Sequence, residues 1–188
     1  MFKIWAKRSI TPLGRIAVLK SLILSKLVHL WTLLPNPPEE FVTKLQVLCY
    51  RFVWNNSQDR ISRKTAVKNI KDGGLGILVL KTYISALKLT WIRKLENTNH
   101  KWKNICISKY PFFKNLRYYG TCLLTSKKVN NLFWTHVMKA YKQFSDKIIP
   151  QTSFELISEP VLFNDKILLG RKVLTHTKWI KKGVYCIA

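Results

Sequence analysis

Acidic residues are the scarcest chemistry in this chain: 9 Asp and Glu stand against 33 Lys and Arg in 188 residues, a formal net charge of +24. From Asn97 to Ser145 there is no acid at all. Two-metal polymerases and nucleases need converging carboxylates, and no Asp-Asp pair occurs here. Glu39 and Glu40 are adjacent but fit the first turn of a helix, where acids complement the positive helix end. Glu155 and Glu159 could share a helical face but have no neighbouring base or histidine. The sequence therefore reads as non-enzymatic. Cys49, Cys106, Cys122 and Cys186 form no CxxC or CxxH pair, which argues against a structural zinc site. Cys49, on an apolar helical face, and Cys106, between two isoleucines, read as small core residues in a reducing compartment, cytoplasmic or nuclear. The four histidines are scattered, and HExxH, nucleophile-elbow and Walker patterns are missing. Asp72-Gly73-Gly74-Leu75-Gly76 lacks both a following GK[ST] and GxGxxG spacing, so it reads as a tight bend. No cofactor and no metal are expected.

Long uninterrupted apolar runs are lacking too. Lys3, Lys7 and Arg8 lead into Ser9-Ile10-Thr11-Pro12, not into a secretory core. The stretch Ile16 to Leu34 is apolar on nearly every side, but Lys20, Lys26 and His29 interrupt it. Each central lysine would cost about 2.5–3.5 kcal/mol to insert in a bilayer, so a buried helix with lysine tips reaching water is the better reading. Arginine is also sparse, at 8 against 25 lysines. Arginine's planar fork reads guanine edges, whereas lysine is a hydrated point charge, so attraction to a phosphate backbone without base reading is the expectation.

What is present is core material: 47% hydrophobic and 12% aromatic residues, too much for a disordered basic tail. The spacing predicts a mainly α fold. Thr11 caps and Pro12 opens a first helix running to about Leu34, stopped by Pro35-Asn36-Pro37-Pro38. A second begins near Pro38 with an apolar face of Phe41, Leu45, Leu48, Phe52 and Val53, and closes at Trp54-Asn55-Asn56. A third runs from Leu80 to Leu95, burying Leu80, Ile84, Leu87, Trp91 and Leu95 and leaving Lys81, Lys88 and Arg93 outside. The loop Glu96 to His100 reads as a boundary between a helical segment, 1–96, and a basic aromatic segment, 97–188. The second segment is expected to be α-rich, with a short β-hairpin around Gly170-Arg171 and a brief helix at Trp179.

Two stretches are candidate nucleic-acid contacts. Arg60, Arg63, Lys64, Lys68 and Lys71 crowd the polar segment Ser57 to Lys71, which reads either as phosphate-facing or as a solvated loop and short helix. Beyond Asn97, the cations Lys101, Lys103 and Arg117 alternate with aromatics, as a single-strand groove requires. Phe133, Val137, Tyr141 and Phe144 fit one helical face and read as packing. Tyr110, Phe112, Phe113, Tyr118 and Tyr119 surround a proline in a loop-like stretch and are the stacking candidates.

The run Thr11-Pro-Leu-Gly-Arg-Ile-Ala-Val-Leu-Lys-Ser-Leu-Ile-Leu-Ser-Lys-Leu resembles part of the polyprotein of non-LTR (LINE-type) retrotransposons, as do Leu34-Pro-Asn-Pro-Pro, Arg51-Phe-Val-Trp-Asn and Asp72-Gly-Gly-Leu-Gly in that order. The region is the one just downstream of the reverse transcriptase palm. The similarity is ordered over residues 3 to 96 and looser afterwards, through Pro160-Val-Leu-Phe-Asn and Lys178-Trp-Ile-Lys-Lys-Gly. The resemblance implies a helical thumb gripping a primer-template duplex, followed by a connector that also touches RNA. By position it places Arg15, Lys20, Lys26, Arg60, Arg63, Lys64 and Lys68 near nucleic acid or in structural roles. Family members carry an endonuclease and a palm with adjacent catalytic aspartates, and some a C-terminal Cys/His cluster. None of these is in this sequence.

The expectation is thus a non-catalytic nucleic-acid-binding fragment of a LINE-type reverse transcriptase, whose partners are RNA or an RNA–DNA hybrid backbone and a missing palm domain. The alternatives are a helix bundle docking on a membrane surface or protein partner, and a translated product without selected function.

Overall fold

A computed structural model describes residues 1–97, 101–118, 129–145, 160–164, 166–176, 178–184 and 186, with backbone alone at 96, 97, 115, 117, 118, 145 and 180. The chain is mainly helical, with one short antiparallel hairpin near its C-terminus. It divides into two compact units, Met1–Lys88 and Leu89–Ala188. The division falls inside a helix, not in the loop after Glu96, because that helix gives Leu80 and Ile84 to one core and Ile92 and Leu95 to another.

In the first unit, helix α1 (Phe2–Ala6) precedes α2 (Pro12–Val18), which continues through a π-helical turn (Leu19–Leu24) into α3 (Ser25–Leu33). Thr11 caps α2 by accepting from the Gly14 N–H over 3.2 Å. The π turn adds a residue to the ladder and shifts the buried stripe. Ile16, Leu19 and Ile23 lie inward as in an ordinary helix, but then Leu24 and Trp31 are buried while Leu30 is turned out at 48% exposure. Ser21 and Ser25 bond back to the carbonyls of Ala17 (2.7 Å) and Ser21 (2.6 Å), a habit of helices under local distortion. By length and composition alone, Pro12–Leu33 could cross a membrane.

Helix α4 (Glu39–Val53) buries Leu45, Cys49, Tyr50, Phe52 and Val53. Phe41 and Leu48, expected on the same face, stand 47% and 46% exposed, because the covered arc of α4 centres on Leu45, Cys49 and Phe52. Asn55 and Asn56 take left-handed backbone angles (φ 52° and 60°) that reverse the chain, a conformation asparagine tolerates. Ser62 caps α5 (Arg63–Val67), and a 3₁₀ turn (Ile70–Asp72) leads into the glycine bend. The backbone N–H groups of that bend are spent on protein carbonyls: Gly74 donates to Asn69 (2.9 Å), Gly76 to Lys68 (2.8 Å) and Ile77 to Ala66 (3.0 Å). A Cβ on Gly74 would come within 2.1 Å of the Lys68 carbonyl oxygen, so only glycine allows this fold-back.

Gln46 of α4 then bridges, donating to the Leu78 carbonyl over 3.1 Å and accepting the Leu80 N–H over 2.8 Å. It thereby satisfies an orphan donor at the start of α6 (Leu80–Asn97). Lys88, expected outside the apolar face of α6, is fully buried. Its ammonium donates to the Trp31 carbonyl (2.6 Å) and to the Leu34 carbonyl, capping the C-terminus of α3. A cation is tolerated there because several carbonyls converge at a helix end.

The second unit packs α7 (Lys101–Lys109), a 3₁₀ stretch (Pro111–Tyr118) and α8 (Leu132–Ser145) around Cys106, Tyr110, Phe113, Leu116, Val137 and Met138. Trp91 is enclosed by Trp102, Phe133 and Trp134 with ring centroids 5.4–6.2 Å apart, the edge-to-face geometry aromatic rings prefer. Phe133, Val137 and Tyr141 belong to this packing, as the periodicity of α8 implies. Strands β1 (Leu168–Leu169) and β2 (Lys172–Val173) pair antiparallel through Gly170-Arg171, both with positive φ, which is the two-residue turn that matches strand twist. Helix α9 (Lys178–Lys181) follows. Cys49 and Cys106 are buried free thiols, and burial pushes them up to about 12 and about 11 respectively. Cys122 lies outside the described residues.

Candidate nucleic-acid interface

The first unit holds 15 Lys and Arg against 4 Asp and Glu, a net +11. Three of those acids are taken by exposed ion pairs, Glu40 with Lys44 (2.6 Å), Asp59 with Arg63 (2.8 Å) and Glu39 with Lys81 (2.5 Å). The cations left over decide where a polyanion could settle.

Arg15 is not one of them. It is only 4% exposed, and its guanidinium donates to four carbonyl oxygens: Ile10 (3.2 Å) from Nε, Phe52 (3.1 Å) from Nη1, and Arg8 (3.2 Å) and Ala6 (3.4 Å) from Nη2. The N-terminal segment and the end of α4 both present carbonyls with acceptor capacity to spare, that of Phe52 also taking the Asn55 N–H over 3.3 Å, and a planar fork can collect them where an ammonium could not. Arg15 is therefore a structural clamp, which corrects its reading as a nucleic-acid contact. Arg63 is half committed: besides Asp59, its guanidinium lies 4.7 Å from the centroid of the buried Tyr50 ring. Burial, the largest influence, pushes the Tyr50 hydroxyl upward against the opposing pull of Arg63.

Lys20, Lys26, Arg60, Lys64 and Lys68 are all exposed and, among the described residues, have no carboxylate partner. The Lys20 ammonium lies beside the glycine bend, and the Lys68 backbone is bonded into it. A Cβ built on Gly76 would lie 3.5 Å from Lys20 Nζ, and the Gly76 N–H bonds the Lys68 carbonyl. Arg60 instead lines a cleft with Lys7 and Arg8, two cations that sequence reasoning passed over. Their only trace in the sequence is adjacency to each other; the chain reversal at Asn55-Asn56 is what places them opposite Arg60.

In the second unit Lys101 is exposed and Lys103 half-buried. Tyr110, the leading stacking candidate, is 8% exposed and edge-on to Phe113 at 5.7 Å. Phe113 is 5% exposed, and the stretch is 3₁₀ helix, not open loop. Both rings are core, because Pro111 starts a tight helical turn that folds them against α7 and α8. The side chains of Arg117 and Tyr118, and all of Tyr119, lie outside the described residues. Among the described residues no group of three or more His, Cys, Asp or Glu side chains could hold a metal ion. No protein-family model matches the chain, and no solved structure matches it.

Proposed function

We propose that this chain is a nucleic-acid-binding segment of a LINE-type reverse transcriptase, thumb and connector, acting without a catalytic centre of its own. One observation carries the reading. Lys20, Lys26, Arg60, Lys64 and Lys68, drawn from the stretches that resemble that family, are exposed while three of the unit's four acids are spent on other cations. Uncompensated surface cations release counterions from a phosphate backbone when they bind it, which is the dominant source of sequence-independent affinity. Lysine dominance suits RNA or an RNA–DNA hybrid held by its backbone.

The test is filter binding of an RNA–DNA hybrid by the whole chain. A triple variant, Arg60→Glu, Lys64→Glu and Lys68→Glu, should weaken binding by at least about tenfold, which is about 1.4 kcal/mol. Lys44→Glu, at a cation already paired with Glu40, should change it by less than about threefold. Equal losses would mean that net charge alone is sensed and that this surface is not the site.

A second reading is favoured by Leu22, Leu30, Leu33 and Leu34, which stand 38–53% exposed along one helix and its end. Such a surface suits docking on a partner, a palm domain in the family it resembles, or on a membrane surface. Flotation with anionic liposomes would detect the membrane case, and Lys20→Glu with Lys26→Glu would separate charge from apolar attachment.

A further inference from the structure

Ala6 to Ile10, Pro12 and Arg15 on one side and Val53 to Asn55 and Arg60 on the other enclose a cleft of about 400 Å³. Lys7, Arg8, Arg15 and Arg60 line it, and among the described residues no carboxylate does. Arg15 brings a positive charge whose donors are held by neutral carbonyls, so the charge itself is unbalanced. Arg8 lies with its guanidinium 4.4 Å from the Trp5 ring centroid, an arrangement that fixes its plane and leaves its edge for a ligand. Trp54, 6% exposed, also lines the cleft, and its indole Nε1–H is buried with no hydrogen-bond partner among the described residues.

We propose that this cleft binds a phosphate monoester, the group carried at the 5′ end of a nucleic-acid strand. The cleft is too small for a duplex and lies within the size range of pockets that hold a single small ligand, about 300–1,000 Å³. A monoester carries about −1.5 to −2 charge at neutral pH and three strong acceptor oxygens. A backbone diester offers one charge and two such oxygens. Lys7, Arg8 and Arg60 together supply more cationic donors than a diester can use, so the site discriminates in favour of a terminal phosphate. The source of that phosphate rests on the nucleic-acid reading above; its chemistry does not.

The experiment compares two RNA oligonucleotides of one sequence, 5′-phosphorylated and 5′-hydroxyl, by fluorescence anisotropy with the whole chain, alongside calorimetric titration of a nucleoside 5′-monophosphate. The phosphorylated strand should bind about tenfold tighter. Lys7→Gln with Arg60→Gln, both changes at exposed side chains, should bring the two strands within about twofold without lowering the melting temperature. Equal affinity for both strands of the unsubstituted chain overturns the proposal and leaves nucleic-acid binding standing. Binding of the monophosphate with neither strand bound supports the cleft as a free-nucleotide site and overturns the strand reading. No binding of any of the three overturns both.

Discussion

The Arg15 guanidinium donates to the Phe52 carbonyl over 3.1 Å, and its centre lies 5.4 Å from the Phe52 ring centroid. One side chain thus ties α2 to the end of α4 and, through Ala6, Arg8 and Ile10, to the N-terminal segment. Hydrogen bonds to a charged group contribute about 1.5–3 kcal/mol each before desolvation is offset. Arg15→Lys keeps the charge but loses the fork, and should lower stability by about 2–4 kcal/mol in urea denaturation. Below its unfolding midpoint that variant should bind nucleic acid as the parent does. Arg60→Gln should behave in the opposite way, with weaker binding and stability within about 0.5 kcal/mol.

Lys88 gives the fold a pH dependence. Burial pulls its ammonium down from 10.5 to about 8. Between those values the unfolded chain holds a proton that the folded chain has released, so stability contributed by this group rises with pH. The cost of burying the charge is fully present below pH 8 and relieved near pH 10.5, and the neutral amine still has two hydrogens for Trp31 and Leu34. The expected gain over that whole range is about 3 kcal/mol. Loss of repulsion among the other lysines acts in the same direction, so Lys88→Met is the reference: its stability should climb less steeply from pH 8 to 10 than the parent's. Parallel slopes would contradict the buried cap.

Two adjacent glycines should respond differently to alanine. At Gly73, with φ +74° and open space around it, the cost is that of a left-handed backbone, about 1–2 kcal/mol. At Gly74 the new methyl would meet the Lys68 carbonyl oxygen at 2.1 Å, and the bend must open. Gly74→Ala should therefore cost more than Gly73→Ala and should increase protease cleavage between Lys68 and Ile77. A milder effect at Gly74 would mean that the fold-back is not rigid.

Tyr110→Phe should leave stability unchanged or raise it slightly. The hydroxyl is buried without a hydrogen-bond partner among the described residues, so deleting it removes a desolvation cost and no bond. Single-strand RNA affinity should also be unchanged. A clear loss of stability would mean that the hydroxyl is bonded in the folded chain.

The helix starts and stops were written locally and could be read: Thr11-Pro12 opens a helix, Pro35 to Pro38 separates two, and Gly170-Arg171 turns a hairpin. The π turn was not legible, because adding one residue to a ladder leaves no compositional trace; its effect is the exchange of Leu30 for Trp31 in the core. Arg15 and Lys88 were misplaced for a shared reason. Periodicity put Lys88 outside the apolar face of its helix and the resemblance put Arg15 near nucleic acid or in a structural role, yet both side chains answer carbonyls at chain ends or helix ends that reach them only once distant segments meet. The exposed cations after Asn56 were legible as a charge run, whereas the cleft joining Arg60 to Lys7 and Arg8 depends on a chain reversal and a long-range contact.

The measurement that bears most directly on the grip is the salt dependence of RNA–DNA hybrid binding. If Lys20, Lys26, Arg60, Lys64 and Lys68 each neutralise a phosphate, log affinity against log salt should fall with a slope of about −4.5 or steeper. A slope flatter than about −1, or no detectable binding at low salt, would contradict the account.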